Sequence, residues 1–207
     1  MGHMRSLVRF MHDSNRQMPL EGDSKFGALK KSYAKGVELR GRTLGIVGFG
    51  RIGQALAKLA IGVGMKVVFS DIHEDNVEVE LSFFDGQSAK FTCENVGFDR
   101  VLTESDFISV HVPGGDLIGA GELEKMKDGV VLLNAARGGV INEEALLDAL
   151  ESGKVAGAGL DVFVNEPTPA VKVLMNGKLS VTPHIGAATL EAQDRIGTEL
   201  AAHIDAI

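Results

Sequence analysis

Residues 43–60, TLGIVGFGRIGQALAKLA, decide the fold. Thr43–Val47 is a short apolar run of strand length, and Leu56, Leu59 and Ala60 recur at helical spacing after it. Between them Gly48, Gly50 and Gly53 stand as G-x-G-x-x-G, with Phe49, Arg51 and Ile52 in the variable places. Gly48 permits a tight turn, Gly50 lets backbone approach a pyrophosphate, and Gly53 lets helix pack on strand. The helix that follows offers unpaired N–H groups and a partial positive charge to an anion. A lone glycine-rich turn would be weak evidence. Here Asp71 stands 23 positions beyond Gly48, at the end of the next apolar run. A carboxylate there accepts hydrogen bonds from ribose hydroxyls and repels a 2′-phosphate, so the pattern points to NAD rather than NADP.

The same texture continues outward. LGIVGF (44–49), KVVFSD (66–71), DFISVHV (106–112), GVVLLN (129–134), AGLDVF (158–163) and LSVTPH (179–184) are runs suited to strands buried on both faces of a parallel sheet. Helical patterns lie between them at 51–62, about 98–105, 121–127 and 142–152, the last with Asn142 as N-cap and Gly153 as stop. Strand–helix alternation of this kind predicts an α/β fold, a Rossmann-type doubly wound parallel sheet with right-handed crossovers. Residues 37–188 form this dinucleotide-binding unit. The stretch 77–93 alternates on either side of Asp85-Gly86 and reads as a hairpin, a surface excursion between two strands. Before the unit, residues 5–18 carry a helical stripe that Pro19 ends, and the polar stretch to Gly36 is a connecting arm. Met1-Gly2-His3-Met4 has the composition of a cloning scar. Residues 189–207 form a C-terminal flanking helix, with Ile196, Leu200, Ile204 and Ile207 on one stripe.

Composition narrows the function classes. The chain has 207 residues and a formal charge of −7, from 21 basic against 28 acidic residues, which disfavours nucleic acid as a partner. No apolar run is long enough to cross a bilayer, and no signal peptide is evident. The single cysteine, Cys93, makes neither an internal disulfide nor a metal cluster and has no neighbour to activate it; a reducing, cytoplasmic compartment is expected, with no metal site.

Four motifs then narrow the reading: the glycine loop, Asn134-Ala135-Ala136-Arg137-Gly138-Gly139, Gly159-Leu160-Asp161-Val162-Phe163 with Glu166-Pro167, and Thr182-Pro183-His184-Ile185-Gly186. In order and spacing the chain resembles the D-isomer-specific 2-hydroxyacid dehydrogenase family from about Asn15 onward. Gly186–Gln193 is more like that family's D-3-phosphoglycerate dehydrogenase branch than its glyoxylate reductase, lactate or formate branches. The residue chemistry agrees. Oxidising a 2-hydroxy acid needs a base, which His184 can be, and a partner such as Glu166 to fix the imidazole and stabilise its cation. It also needs a cation for the substrate carboxylate, and Arg137 offers a bidentate fork. The resemblance gives these three the catalytic roles. It further implies that Asp161 approaches the nicotinamide, that His111, Val112 and Pro113 line the cofactor cleft, and that Ala135, Ala136 and Gly186 border it. His111 follows an apolar strand and is read as packing or cofactor contact, not catalysis. His3, His12, His73 and His203 have no companions and are read as ordinary structural histidines.

The chain departs from the family at a shortened loop, Gly114-Gly115-Asp116, at the longer excursion 77–93, and in having no counterpart of the N-terminal segment that builds most of the substrate domain. The resemblance implies a homodimer formed through the cofactor domain, with a 2-hydroxy or 2-oxo acid as substrate. A rival reading is an NAD-dependent corepressor-like binding module with the same triad, which an exposed apolar groove without turnover would favour. A dehydrogenase for another 2-hydroxy acid, of the glyoxylate or hydroxypyruvate reductase type, is the nearer alternative.

Overall fold

The computed structural model describes residues 1–205, with side chains through Glu199. The strands are β1 (Thr43–Val47), β2 (Lys66–Ser70), β3 (Val77–Ser82), β4 (Ser88–Asn95), β5 (Phe107–Val110), β6 (Val130–Asn134), β7 (Val155–Leu160) and β8 (Leu179–Val181). The helices are α1 (Gly2–Val8), α2 (Met11–Ser32), α3 (Arg51–Gly62), α4 (Phe98–Glu104), α5 (Ala120–Lys125), α6 (Glu143–Ser152), α7 (Val171–Leu174) and α8 (Leu190–Asp205). All eight strands join one sheet in the order β3-β4-β2-β1-β5-β6-β7-β8. Only the β3–β4 pair is antiparallel.

The apolar runs are strands because both their faces are covered. In β6, Val130 and Leu132 pack into one core with Leu102, Leu123, Leu146 and Leu150 from α4, α5 and α6. Val131 and Leu133 point the other way, into a second core with Met4, Leu7, Leu56 and Ala60 from α1 and α3. Side chains alternate across a strand, so a continuous apolar run feeds both layers. The α6 boundaries follow local chemistry: the Asn142 side chain accepts from the Ala145 N–H at 3.0 Å, and Gly153 ends the helix at φ 82°. β1 lies between β2 and β5, so the chain leaves it in one direction and later returns to the other side. The crevice beyond the carboxyl ends of β1 and β5 is therefore the topological switch point, where such sheets bind ligands.

Three expectations need correction. Pro19 does not end the N-terminal helix, and the expected connecting arm is largely helical. The break falls earlier, at Phe10, which adopts a left-handed φ of 53°, and a second irregularity sits at Lys25. No residue of α2 is buried, so water can serve the carbonyl that Pro19 leaves without a donor. The hairpin turns around Asp85-Gly86 as expected but is more than an excursion: β4 pairs with β2 through Val68–Glu94 and Phe69–Asn95, extending the main sheet, and Val79 and Cys93 are buried. Third, Met1–Met4, read as a cloning scar, is packed into the folded domain. Gly2–Val8 is a helix whose Met4 is completely buried against the sheet.

The short helix α7 carries no sequence signal that marked it. Ile207, counted in the C-terminal stripe, lies outside the described residues, as do the side chains of Leu200, His203 and Ile204. Among the described residues no helix is long and apolar enough to cross a membrane.

Replacing Asn142 by Ala removes the α6 cap and is expected to lower unfolding stability by about 1 kcal/mol in urea titrations. Gly53→Ala is expected to lower it by more, since an added Cβ would lie 2.4 Å from the Gly48 carbonyl oxygen and push α3 off β1.

Candidate active site

The glycine loop is held from both sides. Gly48 leaves β1 at φ 88°, and a Cβ there would lie 2.6 Å from the His111 carbonyl oxygen, so only glycine lets the β1 and β5 loops meet at the switch point. The Gly48 N–H donates to the Ser70 carbonyl at 2.9 Å, and the Phe49 N–H donates to Asp71 Oδ2 at 2.6 Å. Phe49, unremarked in the sequence as the variable residue of the motif, is fully buried and stacks on Phe69 with ring centroids 3.9 Å apart. Gly50 differs: nothing lies within 4 Å of where its Cβ would be. Behind it α3 begins at Arg51 with no side-chain cap, leaving the N–H groups of Arg51, Ile52 and Gly53 without helical partners. An open glycine before an uncapped helix start fits a dinucleotide pyrophosphate.

Asp71 braces this loop and faces the same crevice. Its Oδ1 accepts from the His73 N–H at 2.8 Å. Partial burial alone would raise its carboxyl pKa, but the Phe49 and His73 N–H groups outweigh that and hold it below the ordinary value. Each oxygen keeps a lone pair for a ribose hydroxyl.

At the same strand edge, the loops after β6, β7 and β8 converge. His184 Nδ1 lies 2.8 Å from Glu166 Oε2, while Glu166 Oε1 accepts from the Phe163 N–H at 2.9 Å. The His184 imidazole, and after it the Phe163 N–H, hold the Glu166 carboxyl below its usual range. A carboxylate only accepts, so His184 donates from Nδ1 to Glu166, which leaves Nε2 as the nitrogen free of that contact. Glu166 and His184 line a cleft of about 430 Å³ with Phe163, Pro167, Leu174 and Pro183. Arg137 is exposed and makes no ion pair among the described residues; its Nη1 donates to the Ala136 carbonyl at 2.7 Å. It is not in hydrogen-bond contact with His184, but its loop abuts the Glu166 loop, since a Cβ on Gly138 would overlap the Phe163 carbonyl. The turn Ala135-Ala136-Arg137 is shaped by buried Asn134, which accepts from the Ala136 N–H and donates to the Arg137 carbonyl.

Asp161 is buried, with both oxygens committed to the loop around His184. Oδ1 accepts from the Thr182 hydroxyl and the Ile185 N–H, and Oδ2 from the Gly186 N–H at 2.7 Å. Burial raises its pKa, yet these three donors leave it below the ordinary value. Val112 and Pro113 follow β5 beside Gly48, whose added Cβ would meet Val112 at 3.2 Å. The short loop after them turns through Gly114 and Gly115 at positive φ, and the Leu117 and Ile118 N–H groups then donate to the Val140 carbonyl. His111 is half-buried, with Nε2 2.9 Å from the Ser109 hydroxyl, and burial pushes its pKa down to about 4. Cys93 is buried, and burial pushes its thiol pKa up, away from reactivity.

A glycine loop at the switch point, a carboxylate at the end of β2 and an imidazole–carboxylate pair on the same strand edge fit a dinucleotide-binding domain. The chain belongs to the D-isomer specific 2-hydroxyacid dehydrogenase family, whose NAD binding domain model matches residues 1–186. It is 44% identical over 183 residues to a hydroxypyruvate reductase of Thermotoga maritima, covering 85% of this chain and 56% of that protein. It is 42% identical over 176 residues to a D-3-phosphoglycerate dehydrogenase of Mycobacterium leprae, covering 83% of this chain and 32% of that one. A crystal structure of a glyoxylate reductase from Paecilomyes thermophila superposes with a TM-score of 0.74 at 35% identity, over 94% of this chain and 56% of the other. The chain thus spans from about a third to just over half of the length of these proteins.

The half-buried His111 generates a pH-dependent stability. Its folded pKa of about 4 lies below the ordinary 6.5, so between those values the unfolded chain binds a proton that the folded chain refuses. Stability is therefore expected to fall as pH drops through this window. Between pH 7 and pH 5 the His111 contribution is about 2 kcal/mol. His111→Asn should remove that part of the slope in paired urea titrations, other groups cancelling between the two proteins.

Proposed function

We propose that this chain is the cofactor half of a D-3-phosphoglycerate dehydrogenase that prefers NAD to NADP. The observation that carries the reading is the 2.8 Å His184–Glu166 pair, set on the same strand edge as the glycine loop and next to the Arg137 turn. Asp71 at the end of β2 supports the NAD preference, because a 2′-phosphate would meet a carboxylate there. NAD, when bound, supplies the hydride acceptor at nicotinamide C4. The protein does the rest: Arg137 grips the substrate carboxylate, His184 Nε2 takes the hydroxyl proton, and Glu166 stabilises the imidazolium that forms. The similarity to a D-3-phosphoglycerate dehydrogenase over most of the chain supports the choice of substrate. A second reading, reduction of hydroxypyruvate or glyoxylate by the same residues in reverse, is favoured by the hydroxypyruvate reductase relative. Turnover by the longer protein across a panel of 2-oxo acids, phosphohydroxypyruvate included, separates the two.

We also propose a homodimer through this domain in a cytoplasmic enzyme. Helix α2 buries nothing within the chain yet exposes Met18, Leu20 and Phe26, and the hairpin exposes Phe83 and Phe84. Apolar surface of this kind favours a partner, and light scattering on the purified chain should give a dimer mass.

Calorimetry on the chain should show NAD binding well ahead of NADP, and Asp71→Ala should narrow the gap by weakening NAD; equal affinities in the unmodified chain would refute the preference. In the longer protein, His184→Ala should lower kcat by about 10²–10⁴ with little change in cofactor affinity. Arg137→Ala should also raise the KM for the acid. The chain on its own should bind NAD but oxidise no 3-phosphoglycerate, because positioning and water exclusion need a facing wall beyond these residues.

A further inference from the structure

In the sequence His3 has no companions; the fold supplies them. His3 Nδ1 lies 2.9 Å from the Ser180 hydroxyl and Nε2 3.1 Å from the Thr182 hydroxyl, across 177 and 179 residues of chain. Helix α1 reaches this position because β7 is paved with glycine. A Cβ on Gly159 would lie 2.4 Å from His3 Cβ, and one on Gly157 3.1 Å from Leu7. Fully buried Met4 pins the helix between these contacts.

Counting protons gives the chain of hydrogen bonds a direction. Thr182 has one hydroxyl proton, and it goes to Asp161 Oδ1 at 2.5 Å. Thr182 can then only accept from His3, so Nε2 of His3 carries a proton. Burial, the largest influence on it, holds His3 below its ordinary pKa, so the ring is neutral and Nδ1 accepts from Ser180. The sequence of donors runs from Ser180 to His3 to Thr182 to Asp161. The Ile185 and Gly186 N–H groups converge on the same carboxylate from the other side. His184 sits between these anchors at a left-handed φ of 55°, a conformation a histidine keeps only when its surroundings hold it there.

We propose that His3 is a positioning residue for His184, acting through Thr182 and Asp161 to hold the loop in which His184 faces Glu166. The proposal rests on His184 being the base of the reaction, and it gives α1 a part in the site that the glycine and histidine motifs do not reveal.

The test reads His184 directly, without cofactor, in long-range ¹H–¹⁵N correlation spectra of the imidazoles of the ¹⁵N-labelled chain. The unmodified chain should show His184 as one tautomer with its proton on Nδ1. His3→Ala should shift both His184 nitrogens toward tautomer-averaged values. Thr182→Val should do the same, the double variant should go no further than either alone, and His3→Gln, which keeps a donor, should recover at least half of the shift. If His3 only helps α1 pack, His3→Ala will lower the urea midpoint and leave the His184 resonances in place, which overturns the proposal. Should His3→Ala fail to fold, Thr182→Val decides: an unmoved His184 there overturns it equally. Turnover of the longer protein carrying His184→Ala is read separately, so failure of the reading of His184 as base is distinguishable from failure of this one.

Discussion

Gly48 has to leave β1 at a positive φ while in contact with the carbonyl of His111, and the rest of the site depends on that close approach. It brings the β1 and β5 loops together at the point where the chain reverses direction across the sheet, leaving the crevice beyond them for a ligand. Phe49, stacked on Phe69 inside the core, fixes the loop from below, and Asp71 fixes it from the side through the Phe49 N–H. Gly50 and the uncapped start of α3 are then presented outward with their N–H groups unused. An anion site made of backbone needs such rigidity, because its donors must be aligned before the ligand arrives.

The opposite half of the crevice depends on two carboxylates in different circumstances. Glu166 is partly open to solvent and takes one imidazole nitrogen and one backbone N–H. Asp161 is buried and takes one hydroxyl and two backbone N–H groups, all from the segment around His184. One carboxylate sets the tautomer and orientation of the imidazole, and the other sets the path of the backbone beneath it. Both are held ionised by their donors, although burial works against this at Asp161. The stabilisation of the left-handed His184 is thus distributed across the loops after β7 and β8 and helix α1.

Much of this was legible in the chain because it is local. The alternation of apolar runs with helical periods follows from strands buried on both faces, and the Asn142 cap and Gly153 stop mark α6 to the residue. The glycine loop and Asp71 are readable since their spacing is set by one strand–helix–strand unit. Where the local rules failed, solvent or pairing decided. Pro19 breaks a buried helix but is tolerated in α2, none of whose residues is buried. The hairpin alternation was visible, whereas the pairing of β4 with β2 could be known only once β2 was seen to have a free edge.

The sequence by itself determined the fold class and the cofactor loop and singled out His184 and Glu166, which the structure brings into contact, for each depends on residue type at short or characteristic spacing. Only the tertiary structure decided what His3, Thr182 and Asp161 do. Their partnership spans more than 170 residues and exists because glycines in β7 let α1 lie against the sheet. No periodicity records such a contact: it is a consequence of packing distance, and packing distance is set only when both layers are in place.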